Sequence, residues 1–207
     1  MTEFPDYRKA TNAAYKILND VHPFRLSTDI FQIINNFSNI SIHTYSEIAN
    51  KFGLSFDRFL NIASSEFGYT IQDKTSGNFV IYYNDLKDAC AIRFTLAHEL
   101  GHIVLKHTKD NDISRKEAGC FARNILCPIS TVKELNLHDT SDYTNVFNVS
   151  DSMADVAIQY AKSDFYYIQN SYYRDISDKV FAYMNGYDNV FEMYGYNPLS
   201  DYNFSYA

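Results

Sequence analysis

The chain reads as an α+β fold, mostly helical, with a small sheet placed before one long apolar helix. Three observations carry that reading. Apolar residues recur at helical spacing through most of the chain, "EFGYTIQD" and "FVIYYND" flank a glycine-containing turn as a strand pair would, and "RFTLAHELGHIVLKH" (93–107) continues as a helix apolar on two sides.

Taken in order, "YRKATNAAYKILN" spaces Ala10, Ala14, Ile17 and Leu18 as a helix stopped by His22-Pro23. A second helix starts at Ser27 or Thr28 and runs through "DIFQIINNF", and "NISIHTY" alternates as a short strand. "SEIANKFG" and "SFDRFLNIASS" are two short helices parted at Gly53, each with a serine able to cap it. The hairpin follows, then the helix from about Asp88 to Lys106, then "SRKEAGCFARNIL" as a helix ending before Pro128. "VSDSMADVAIQYAK" is one more capped helix, and the last thirty or so residues have the weakest periodicity.

A length of 207 residues holds one sizeable core with an extension. With 46% hydrophobic residues, four prolines and seven glycines, the chain is neither disordered nor fibrous. The net charge of −7 and the scattered acids leave no basic stripe for phosphates, so nucleic acid is a poor partner. No secretory leader and no membrane span are read, and a cytoplasmic protein is expected. Cys90, Cys120 and Cys127 fit neither a disulfide framework nor a C-x-x-C knuckle and are expected as reduced thiols. Eighteen tyrosines thicken toward the end in "FYYIQNSYYRD" and "YGYNPLSDYNFSYA", read as a tail laid over the core or a docking surface.

His98 and His102 are four apart, so a helix projects both from one face, the spacing two imidazoles need to share one tetrahedral zinc. Glu99 between them completes H-E-x-x-H; it stands beside the pair, placed to act as base on water. On a continuous helical wheel His107 falls with Leu96, Leu100 and Ile103, away from the pair, as a residue of the helix end.

"RFTLAHELGH" followed by "EAGCFARNILCP" resembles the ImmA/IrrE-type zinc metallopeptidases, strongly over about residues 80–128 and more loosely in the helices beyond. The resemblance implies a zincin-like single domain. Residues 1–135 would form the metallopeptidase domain, and 136–207 a helical, tyrosine-rich extension packed on it. It also implies zinc as cofactor and a third ligand, a glutamate on the next helix. Anchored on Ala118, Phe121 and Ala122, the first position of that second signature is Arg115. Glu117 is the nearest glutamate and is the expected third ligand, beside a competing reading of Ser114 to Glu117 as a capping box. Asp112 is the next candidate. With none of them coordinating, the chain would be a degenerate member that keeps the fold and loses the chemistry.

The expected activity is thus a zinc endopeptidase with His98, His102 and Glu117 as ligands and Glu99 as base. Relatives commonly act on helix-turn-helix repressors encoded beside them on mobile elements, so the resemblance implies a protein substrate of that sort. The alternative, from Arg115 in the glutamate position, is a non-catalytic binding or regulatory protein on the same scaffold.

Overall fold

Asp6 opens the first helix by accepting the Lys9 N–H at 2.9 Å, and α1 (Tyr7–Asp20) buries Ala10, Thr11, Ala14, Tyr15 and Leu18 along one stripe. The computed structural model describes residues 4–195. It is an α+β domain, as expected. After α1 come α2 (Ile30–Asn35), β1 (Ile40–Thr44), α3 (Tyr45–Lys51), α4 (Phe56–Leu60), β2 (Gly68–Gln72) and β3 (Phe79–Tyr83). Then α5 (Ala89–Val104), α6 (Asp112–Leu126), α7 (Ile129–Glu134), α8 (Thr140–Phe147), α9 (Asp151–Tyr167), α10 (Asn170–Met184) and α11 (Val190–Met193) follow. The C-terminal tyrosines from 196 onward lie outside the described residues.

The sheet order is β1-β3-β2, with β2 antiparallel to β3 as the hairpin pattern predicts and β1 parallel to β3. Between the parallel pair run α3, α4 and β2, which pack around Tyr45, Ala49 and Phe59 as a small satellite core. The edge strand β2 lies close on α5. A side chain at Gly68 would meet Thr95 Cγ2 at 2.5 Å and the Tyr82 carbonyl at 2.8 Å, so only glycine permits this approach.

The main core gathers α1, α2, α5 and α6 with residues as far along as Tyr143, Phe147, Ala157, Ile176 and Val180. It therefore draws on both sides of position 135. Inside it, Arg123 of α6 makes a bidentate pair with Asp164 of α9 at 2.7 and 2.8 Å, both side chains under 10% exposed. A second arginine, Arg93 of α5, donates to the carbonyls of Phe147 and Thr28 and to Ser27 Oγ, tying three segments together. That explains one shifted start. Ser27 is spent on Phe147 and Thr28 on the Ile125 carbonyl, and Asp29 caps α2 instead. Similarly Thr44, in a capping box with Glu47, opens α3 ahead of Ser46.

Candidate active site on helix α5

Asp88 caps α5, accepting the Ala91 N–H at 2.9 Å, and the helix then runs apolar through Leu96, Ala97 and Leu100 into the core. His98 and His102 leave it from one face. Their Nε2 atoms stand 3.2 Å apart and the rings cross at 63°. Two nitrogens bound at about 2 Å to a tetrahedral zinc lie roughly 3.3 Å apart, so the pair already spans one edge of such a site. Burial presses both imidazoles down to about 4; for His98 the next cause is His102, and for His102 it is His107. Neutral rings with free lone pairs are what a metal requires. The charge of Asp110 opposes this shift at both rings.

Glu99 sits between them in sequence and accepts the Thr70 hydroxyl of β2 at 2.7 Å. Burial lifts its carboxyl above the ordinary range, and the Thr70 bond pulls the other way. The result is a carboxyl oriented by a strand and biased toward taking a proton.

His107 does not point away from the pair. The helix ends at Val104, Leu105 is its cap, and Lys106 adopts a left-handed conformation (φ 59°). Lys106 N–H then bonds the Ile103 carbonyl and His107 N–H the His102 carbonyl at 3.0 Å, a Schellman closure that folds the chain back over the last turn. Beyond that reversal a helical wheel no longer applies. His107 Nδ1 consequently lies 3.1 Å from His102 Nδ1.

The capping reading of Ser114 to Glu117 does not hold. Asn111, not Ser114, caps α6: Ser114 N–H bonds Asn111 Oδ1 at 2.9 Å and Asn111 N–H bonds Ser114 Oγ at 3.0 Å. This box starts the helix earlier and releases Glu117 from any capping role there. One Glu117 oxygen accepts the Asp6 N–H at 2.7 Å and the other meets His107 Nε2 at 2.8 Å. Both oxygens are thus engaged behind His107, and Glu117 does not join His98 and His102 in a donor cluster. Asp112 pairs with Lys116 at 2.6 Å, and Arg115 makes a bidentate pair with Asp110 at 2.7 Å on each arm. Among the described residues, no group of three or more histidine, cysteine or acidic side chains is arranged to hold a metal ion. The histidine pair fits two corners of a metal site; among the described residues a third protein donor is not gathered beside it.

The close seat of α5 on α6 depends on Gly101. A Cβ there would stand 3.0 Å from Phe121 and 3.2 Å from the Ala118 backbone. Residues 54–159, just over half of the chain, match the IrrE N-terminal-like domain family of peptidases. The chain belongs to this family. The matched stretch of the IrrE-like domain begins ahead of α4, contains β2, β3 and all of α5 and α6, and ends within α9. No match was found among curated proteins. No helix among the described residues is long and apolar enough to cross a membrane.

Proposed function

We propose that this protein is a zinc-dependent endopeptidase acting on a protein substrate. The observation that carries the reading is the His98 and His102 Nε2 pair at 3.2 Å, with Glu99 held alongside by Thr70. His98 and His102 would hold the metal, which when bound supplies Lewis acidity that polarises a peptide carbonyl and acidifies water. Glu99 takes the proton of the attacking water as the oxygen bonds to the carbonyl carbon. It returns that proton to the amine as the C–N bond breaks. Membership of a peptidase family supports the reaction class.

The edge strand supports a polypeptide substrate. β2 closes one side of the sheet, so an extended segment added along it would run past Thr70, whose hydroxyl holds the base. A regulator of the helix-turn-helix repressor type, produced beside the peptidase, is the substrate we propose. The test is co-expression with such a neighbouring repressor: Glu99→Gln should keep the metal and abolish cleavage. Cleavage that survives Glu99→Gln would show that the assigned base is wrong.

A second reading, a non-catalytic binding protein on the same scaffold, is favoured by the lack of a third donor beside His98 and His102 among the described residues and by Arg115. It occupies the glutamate position of the second signature and is bound to Asp110. That reading predicts no stoichiometric zinc in the purified wild type.

A further inference from the structure

His102 is the inner end of a hydrogen-bonded chain that leaves α5. Its Nδ1 faces His107 Nδ1 at 3.1 Å, His107 Nε2 faces Glu117 Oε2 at 2.8 Å, and Glu117 Oε1 accepts the Asp6 N–H at 2.7 Å. The His107 and Glu117 side chains are only 10 and 12% exposed, so water competes little for these contacts.

Two ring nitrogens facing each other at 3.1 Å share one proton, and the end of the chain decides which nitrogen carries it. A carboxylate has acceptors only, so at Glu117 the donor is His107 Nε2–H. In the neutral ring His107 Nδ1 is then an acceptor, which requires His102 to carry its proton on Nδ1. His102 Nε2 is left with a bare lone pair turned toward His98 Nε2, which donates to it in the metal-free protein.

We propose that Glu117, acting through His107, is a positioning residue that fixes His102 as its Nδ1–H form and presents an unprotonated Nε2 at the metal position beside His98. His98 has no equivalent support: its Nδ1 is buried without a hydrogen-bond partner among the described residues. His102 is therefore the pre-oriented ligand of the two. The metal in this statement rests on the function proposed above, whereas the proton order is a property of the chain itself. Metal-ligating histidines commonly hand their second N–H to a carboxylate. Here a second imidazole stands between ligand and acid, and Glu117 at once closes the start of α1.

The experiment uses the full chain with ¹⁵N-labelled histidine, metal-free at neutral pH, and reads each ring's tautomer from long-range ¹H–¹⁵N correlations. The wild type should show His102 protonated on Nδ1. Glu117→Gln keeps an oxygen for the Asp6 N–H and turns an amide N–H toward His107, which reverses the order and should move the His102 proton to Nε2. Zinc affinity, measured by chelator competition, should fall about 10- to 100-fold in the same variant. His107→Phe, which removes the intermediary, should lower affinity comparably. A wild-type His102 protonated on Nε2 overturns the proposal whatever the variants do. So does a Glu117→Gln protein with unchanged tautomer and unchanged zinc affinity, a result that leaves the peptidase reading standing. If the wild type binds no zinc but the tautomer reverses on Glu117→Gln, the relay is upheld and the zinc peptidase reading fails.

Discussion

Glu99 is set by opposed effects of known sign, burial and the Asp110 charge on one side and the Thr70 hydroxyl on the other. Burial raises its carboxyl and the Thr70 hydroxyl lowers it, so Thr70→Val leaves burial unopposed and should raise Glu99 further. A ¹³C titration of the Glu99 carboxyl in metal-free protein should move to higher pH. The acidic limb of any cleavage profile should move the same way, because the base must be ionised to act. A shift downward would mean that Thr70 supports the protonated form. The three histidines differ in how visible they were. His98, Glu99 and His102 are legible because the i to i+4 relation is local to one helix. The place of His107 hangs on a left-handed Lys106, a position where glycine usually marks the turn, and no glycine stands there to announce it.

At the scale of elements, the site depends on how closely α5 seats on α6 and on the sheet. Alanine is the better helix former, yet at Gly101 its methyl would press on Phe121 and the Ala118 backbone. Gly101→Ala should therefore destabilise by about 1–3 kcal/mol, the usual range for overpacking, measured by urea unfolding. Stabilisation of the variant would contradict the packing described. The start of α6 shows why its chemistry was hard to read. Asn111-x-x-Ser114 and Ser114-x-x-Glu117 overlap as capping signals; the first one forms, and only then is Glu117 free to reach α1 and His107. The hairpin, α1 and the Ser150 cap of α9 were plain because each is written in consecutive residues. By contrast α10 buries only Ile176, Lys179, Val180 and Ala182 among tyrosines and polar residues, a stripe too sparse to stand out, and the parallel pairing of β1 with β3 joins segments far apart in sequence.

For the whole molecule, keeping two neutral imidazoles inside makes stability depend on pH. Both rings titrate at about 4 in the folded protein against an ordinary 6.5, so on acidification the unfolded chain takes up protons first. Metal-free protein should then lose stability as pH falls from 6.5 toward 4, by at most about 1.4 kcal/mol per pH unit for each ring, with no slope from them above that window. Urea unfolding of the wild type beside a protein combining His98→Leu and His102→Leu isolates this contribution. Equal slopes in the two would show that the rings are not held neutral.

The most direct test of the central claim is the zinc content of the purified full chain at micromolar zinc supply, beside Glu99→Gln and the combined His98→Leu, His102→Leu protein. The zinc site proposed above predicts one zinc per chain in the wild type and in Glu99→Gln, and none when both histidines are replaced. A wild type without zinc, or zinc retained after loss of both histidines, would contradict it.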